Sequence, residues 1–309
     1  MALLDKKEPF SIKADYIRIS RGVLTKIQRL TTKYDNFEKL PCTFFREFVK
    51  KELSELFVLS SKIRSLLEKE HRFIIVNKLP FIRYKPEVRN FLFLSLASCI
   101  GRPTATDQNE RKIIWEVTSR TYLPKGQMPT VTEHRLKAEL HTDTSYKRKP
   151  EKYVALFVVR PAKDRGGLSQ ILDGRHFVDN IAKGKQGEEC LKALRSLLFP
   201  FRVPTSFTKT RKEEEPETIL ATVISNTPLI RFRYDTIMDG FKCLPSYATK
   251  DALWAVNYFH KALEDSLKLT FRLNSGEVLF TNNHEILHGR TAFGDERRLL
   301  LRIRMEALP

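Results

Sequence analysis

The sequence predicts a mainly β fold with flanking helices, arranged as a sandwich or jelly roll, and two observations carry that prediction. From Lys112 onward the chain is a series of short apolar runs separated by turn residues, the pattern of many short strands in stacked or closed sheets. Ahead of that point apolar residues recur every three or four positions, the period of a helix with one buried face.

Taken in order, residues 44–70 read as one amphipathic helix with Val49, Leu53, Leu56, Leu59, Ile63 and Leu66 on its apolar face. Residues 72–76 read as a buried strand bounded by Asn77 and Pro80. A helix over about 86–100 is expected to end at Gly101, with Pro103 as its stop. The strand-like runs that follow cover 113–117, 152–160, 168–172, 219–224, 229–234, 278–281 and 298–304. Helical segments intrude near 176–196 and 247–267, and 203–217 is a charged, proline-bearing loop. No repeat, low-complexity tract or Gly/Ser/Pro-rich linker divides the chain. A single domain over 1–309 is therefore expected, with a largely helical N-terminal extension over 1–70, a core over 72–306 and an insertion at about 176–267 between core strands.

Composition narrows the class. With 309 residues, 41% apolar and 30% charged, the chain is long enough to bury a sizeable core. Its longest apolar run, 91–100, is interrupted by two serines and falls short of the about 18 residues that span a bilayer. Charges at Asp5, Lys6, Lys7 and Glu8 stand where a secretory peptide would be apolar, so a cytoplasmic protein without a membrane role is expected. Cys42, Cys99, Cys190 and Cys243 lie far apart, which argues against a zinc framework or disulfide stapling and for a reducing compartment. The net charge of +18 invites a nucleic-acid partner. The basic residues are nevertheless spread along the chain in mixed-sign runs such as 209–215, which fits a solvated surface better.

The strongest local signal is His141-Thr142-Asp143. On a strand, residues two apart share a face and can bind one ion together, and iron(II) in oxygenases takes two His and one carboxylate on one side. The third ligand should come from a distant strand; His288, just past the run 278–281, is the candidate. His-x-Asp alone is a weak signal, and its neighbours strengthen it.

Those neighbours are Leu140-His-Thr-Asp-Thr-Ser-Tyr146, Gly166-Gly-Leu-Ser-Gln-Ile-Leu-Asp173, Asn282-Asn-His-Glu-Ile-Leu-His-Gly-Arg-Thr-Ala-Phe293 and Arg297-Arg-Leu-Leu-Leu-Arg302. In that order they resemble the motifs of the taurine-dioxygenase (TauD/TfdA) superfamily of iron(II)- and 2-oxoglutarate-dependent oxygenases, which includes clavaminate-synthase-like and γ-butyrobetaine-hydroxylase-like enzymes. The resemblance implies a double-stranded β-helix, a cupin-like jelly roll, with Fe(II), 2-oxoglutarate and O2 as cofactor and cosubstrates. It implies that Arg298 or Arg302 binds the distal carboxylate of 2-oxoglutarate, helped by the hydroxyl of Ser169. The Arg-x-x-x-Arg spacing favours Arg298, leaving Arg302 for the other end of the cosubstrate or for an acidic group of the substrate. The implied reaction is hydroxylation, desaturation or ring closure of a small polar substrate such as an amino acid or a derivative, with succinate and CO2 as co-products. With Asp143 as a ligand no position is left for the chloride of a halogenase. Residues 1–70 and the insertion carry little of the resemblance, so substrate choice is expected to be written there.

The terminal run supports part of this independently. Arg298, Leu300, Arg302 and Arg304 fall on one face of a strand, and Leu299, Leu301, Ile303 and Met305 on the other. If the apolar face packs under helices, the arginines point into the barrel and need anions there.

Two readings compete. His284-Glu285-Ile-Leu-His288 matches the H-E-x-x-H signature of zinc proteases, although Gly289 follows at once and the extended form fails at Thr291 and Gly294. A basic, nucleic-acid-associated protein is the other. His71, His134, His176 and His260 have no partner at ligand spacing, whereas His284, Asn282 and Asn283 are close enough in sequence to His288 to support a site.

Overall fold

The computed structural model describes residues 9–34, 36–106, 111–119, 134–208 and 216–308. Among them stand eight α-helices and thirteen strands, so the chain is a mixed α and β body and not the mainly β one that the sequence suggested. In chain order the elements are β1 (Ser11–Lys13), α1 (Arg21–Lys33), α2 (Cys42–Glu52), α3 (Ser54–Lys69), β2 (Phe73–Asn77), α4 (Pro86–Ile100), β3 (Arg102–Thr104), β4 (Trp115–Val117), β5 (Ala138–His141), β6 (Tyr153–Arg160) and β7 (Ser169–Asp173). They continue with α5 (Gly174–Ile181), α6 (Lys185–Ser196), β8 (Phe199–Arg202), β9 (Thr218–Ala221), α7 (Tyr234–Cys243), α8 (Lys250–Asp265), β10 (Leu269–Phe271), β11 (Val278–Asn282), β12 (Ile286–Arg290) and β13 (Leu299–Glu306).

Two sheets organise eleven of these strands, and β8 and β9 pair separately. The larger runs β1-β2-β11-β6-β13-β3, with β4 also paired to β13, and the smaller runs β10-β7-β12-β5. Strand β1 lies parallel to β2, while the pairs inside the smaller sheet are antiparallel. Period-two alternation gives the larger sheet two apolar faces. Phe157, Phe280, Leu301, Ile303 and Met305 face a core shared with Ile27, Val49, Leu56, Ile63 and the whole of α4. Val158, Leu279 and Leu300 face the opposite way, into a second core with Ile171 and Ile286 of the smaller sheet and with α6 and α8. Helix α4 is apolar on all sides because it touches α1, α2 and α3 as well as β3 and β13.

The structure departs from the sequence-based elements in several places. The single helix expected over 44–70 is two, broken at Leu53 (φ −138°, ψ 57°), which caps α2 and starts α3; no proline or glycine marks the break. The strand expected at 229–234 forms only one bridge, Ile224 to Ile230, before α7 begins at Tyr234. Its backbone is spent elsewhere: Leu229 N–H donates to His284 O (3.0 Å), and Phe232 O accepts from Thr142 N–H (2.8 Å). His288 lies on a strand of its own, β12, where the sequence reading expected no strand and placed it only just past the run 278–281. Residues 209–215 of the expected charged loop lie outside the described residues.

Gly101 ends α4, though not through a left-handed cap, since its φ is −148°. Closeness decides the residue: a Cβ there would lie 2.6 Å from Glu306 O and 2.7 Å from Met305 Cβ. Gly101→Ala should therefore destabilise the protein by about 1–3 kcal/mol. Gly22→Ala, where the nearest atom is 3.9 Å away inside helix α1, should be neutral or stabilising because Ala is the better helix former. Thermal unfolding of the two variants side by side measures the contrast.

Candidate metal centre

Strands β5 and β12 pair with His141 opposite His288, so both imidazoles leave the smaller sheet on the same side, with ring centroids 4.5 Å apart. Asp143 does not share a strand with His141, as the two-residue spacing suggested; β5 ends at His141 and the chain turns there. The turn brings Asp143 Oδ1 to 3.7 Å from His141 Nε2 and 3.8 Å from His288 Nε2. The ligand atoms of the three residues all lie within 4.8 Å of one another.

The turn is held from three directions. Asn283, at the end of β11, accepts from Asp143 N–H (2.7 Å) and donates to the carbonyls of Asp143 (3.1 Å) and Glu151 (2.9 Å). Thr142 exchanges hydrogen bonds with the backbone of Phe232. The buried guanidinium of Arg231 donates to the carbonyls of Ser145, Lys147 and Arg148 (3.2, 2.6 and 3.1 Å). Thr144 takes a left-handed φ of 56°, a conformation that such over-determined turns sustain. Of these supports the sequence reading had singled out Asn283 alone.

Charge at the site is arranged for cation binding. Burial by itself would raise the Asp143 carboxyl, but Arg302, Arg304, His141 and His288 hold it well below the usual carboxylate range. Arg304 Nε lies 3.0 Å and an Arg302 Nη 3.3 Å from Asp143 Oδ2, leaving Oδ1 toward the imidazoles. Burial and then His141 push the His288 imidazole down to about 3, so it is neutral at physiological pH. His141 Nδ1 donates to Glu139 O (2.8 Å), because a carbonyl can only accept, which turns its Nε2 toward Asp143 and His288. One ionised carboxylate and two imidazoles converging from one side are the donor set that suits iron(II), so the residues present fit that ion.

Arg302 and Arg304 of β13 and Arg298 just before it divide between two places. All of Arg298, Arg302 and Arg304 are buried, as the face pattern anticipated, but Arg302 and Arg304 find their anion within the protein, at Asp143. Arg304 had not been singled out as a site residue, although its place two positions past Arg302 on the same face was the available signal. Arg298 stands apart from Asp143, against Phe293 (4.9 Å to the ring centroid), with a second buried arginine, Arg290, over the same ring (4.6 Å). It shares a cleft with Ser169, Gly166, Gly167, Val158 and Leu300. Gly167 makes the room: its φ is +67°, and a Cβ there would lie 2.9 Å from Arg298 Nε. Burial first and then Arg290 push Arg298 down to about 9, and one of its Nη atoms has no partner among the described residues. A guanidinium so placed calls for an anion.

The H-E-x-x-H reading is overturned by the same geometry. His284 and Glu285 sit in a turn and His288 on a strand, so no helical face joins them. His284 Nε2 lies 2.9 Å from Pro150 O, and Glu285 is paired with Arg72 and with Arg175 (3.1 Å). His260, read as unpartnered, lies at the surface 3.6 Å from Glu139 and 3.9 Å from Glu264.

A buried His-Asp-His group between two sheets with helices on their outer faces defines this chain as a dioxygenase of the iron(II)- and 2-oxoglutarate-dependent class, whose cofactor and cosubstrates are Fe(II), 2-oxoglutarate and O2. It belongs to the taurine catabolism dioxygenase TauD, TfdA family, whose sequence pattern matches residues 36–304. Among solved structures it is similar to an asparagine oxygenase in complex with Fe(II), (2S,3S)-3-hydroxyasparagine and succinate, at 13% identity and a TM-score of 0.66 over 96% of this chain and 93% of that one. It is also similar to the non-haem iron oxygenase OrfP in complex with Fe and α-ketoglutaric acid, at 15% identity and a TM-score of 0.63 over 96% and 94%. A comparison with curated protein sequences found no match.

The state of His288 sets a pH dependence for the metal-free protein. The unfolded chain takes up a proton on this residue below about 6.5, while the folded one does so only near 3, so stability is lost as pH falls through that interval. His134 and His284, also lowered chiefly by burial, act in the same direction. At pH 5 His288 accounts for about 2 kcal/mol of the loss. Urea unfolding at pH 7 and pH 5 should show a clearly smaller drop for His288→Gln than for the wild type; equal drops would mean that His288 is not buried neutral.

Proposed function

We propose that the two-sheet body is a double-stranded β-helix acting as a single oxygenase domain, in which His141, Asp143 and His288 hold Fe(II) and the buried cleft at Arg298 holds 2-oxoglutarate. The observation that carries this is the gathering of three ligand atoms around an ionised, buried Asp143. When bound, the iron couples oxidative decarboxylation of 2-oxoglutarate by O2 to hydroxylation of a substrate C–H bond, releasing succinate and CO2.

The roles of the chain's own groups follow from their surroundings. Arg298, lacking an internal carboxylate, pairs with the distal carboxylate of 2-oxoglutarate through two parallel N–H donors, and the Ser169 hydroxyl in the same cleft donates beside it. Arg302 serves the end nearer the metal, where its Nε and one Nη lie buried without partners among the described residues. Arg304 keeps Asp143 ionised and turned with one oxygen toward the imidazoles. Apolar walls from Val158, Ile171 and Leu300 exclude water and strengthen each of these interactions.

The substrate we infer is a small polar molecule of the amino-acid kind, as in the asparagine oxygenase and OrfP complexes with hydroxylated amino acids. The insertion at about 176–267, which shares the second core with the smaller sheet, then shapes its binding and cover, whereas the extension over 1–70 packs on the outer face of the larger sheet, away from the triad. No helix among the described residues is long and apolar enough to cross a membrane, and the four cysteines are unpaired, which supports a cytoplasmic setting.

Anaerobic titration of iron-loaded protein with 2-oxoglutarate should give a weak visible charge-transfer band, and its absence would overturn the proposal. His141→Ala, Asp143→Ala and His288→Ala should each abolish iron-dependent succinate formation; near-normal turnover in any one would remove that residue from the ligand set. Arg298→Ala should raise the 2-oxoglutarate requirement more than Arg302→Ala does, since truncating one partner of a buried charge pair costs about 2–5 kcal/mol. The reverse order would exchange the two roles. Bound iron should be nearly unchanged in His284→Ala.

A further inference from the structure

Beside His141 a cavity of about 200 Å³ opens between β5 and the start of α7, lined by His134, Lys137, Glu139, Arg233, Tyr234 and Asp235 among others. Arg233 is the group that decides its chemistry. Its Nε and one Nη each donate to an Asp235 oxygen at 2.8 Å, a fork that fixes the guanidinium plane. The side chain is 11% exposed, and its other Nη is not used in any of these bonds. Burial works against its charge, yet Asp235, then Tyr146 and Asp143, raise its pKa, and it lines the same cavity as His141. Arg302 feels it too.

The charges around this space do not balance. Five arginines, Arg233, Arg290, Arg298, Arg302 and Arg304, surround the triad, its cavity and the cleft beyond, against two carboxylates, Asp143 and Asp235. Glu151 is paired with Lys147, and at the rim of the cavity the exposed Lys137 and Glu139 offset each other in charge. An iron(II) ion and a 2-oxoglutarate dianion cancel each other, so five guanidinium charges against two carboxylates leave three positive charges without a counterion. A cationic or neutral substrate would leave that surplus uncompensated, whereas an acidic one offsets it.

We propose that Arg233, oriented by Asp235, determines substrate specificity by binding an acidic side-chain group of a small amino-acid substrate. This rests on the oxygenase reading above and adds the charge of the substrate to it. It also places that choice in the insertion, on a residue that no local motif marks.

Isosteric acid and amide pairs separate charge from shape. Wild-type protein loaded with iron and 2-oxoglutarate without oxygen is titrated with L-aspartate, L-asparagine, L-glutamate, L-glutamine and L-arginine, and the shift of the visible band is followed. At least one acid should bind about tenfold or more tightly than its amide, and L-arginine should bind weakly or not at all. Arg233→Gln should weaken the acid by about tenfold or more while leaving the amide within about twofold, and Arg233→Lys should restore most of the preference. An amide or L-arginine binding as tightly as the acids overturns the proposal, as does a failure of both acids to shift the band, or equal weakening of acid and amide in Arg233→Gln. The wild-type comparison stands even if a variant does not fold. Failure of the band to form with 2-oxoglutarate alone is a different result, and it would overturn the oxygenase reading itself.

Discussion

The structure turns on keeping one carboxylate ionised out of water. Asp143 is 4% exposed, and a lone buried carboxylate would take up a proton before it bore that cost. Two guanidiniums within 3.3 Å of one oxygen and two imidazoles within 3.8 Å of the other prevent it. The arginines in turn could not stay buried without Asp143. The mutual dependence explains why β13 carries charges on one face while its other face, with Leu301, Ile303 and Met305, is fully apolar.

The remaining elements hold that arrangement at a fixed spacing. Asn283 ties the Asp143 turn to the end of β11, Arg231 ties it to the segment before α7, and the pairing of β12 with β5 sets the distance between the imidazoles. Helices α1 to α4 cover the outer face of the larger sheet, so that β13 has an apolar side to bury, while α6 and α8 share the second core with the smaller sheet. The triad thus sits where two sheets face each other. Its neighbours are supplied by parts of the chain separated by more than a hundred residues, and only the cores bring them together.

Local order was legible where one physical signal dominated. The alternation in β13, the apolar run of β6 and the apolar run of α4, broken only by two serines, located these elements within one or two residues, because burial is recorded directly in composition. It was misread where tertiary partners replaced local ones. Residues 229–234 have the composition of a strand, yet their N–H and C=O groups are taken by His284, Val223 and Thr142, so no ladder forms. The break at Leu53 leaves no mark because its apolar spacing continues unchanged across it.

By itself the sequence marked candidates by spacing and motif: His141 and Asp143 two positions apart, His288 in its own motif, and Arg298 and Arg302 four positions apart at the last strand. These are relations of spacing, and spacing survives in one dimension. Tertiary structure alone decided that Arg302 and Arg304 answer to Asp143 while Arg298 stands apart beside Gly167, that Glu285 belongs to Arg72 and Arg175, and that Arg233 reaches a cavity beside His141. Which charge meets which depends on distances of a few ångströms between segments far apart in the chain, and Coulomb energies in a desolvated pocket change steeply over such distances.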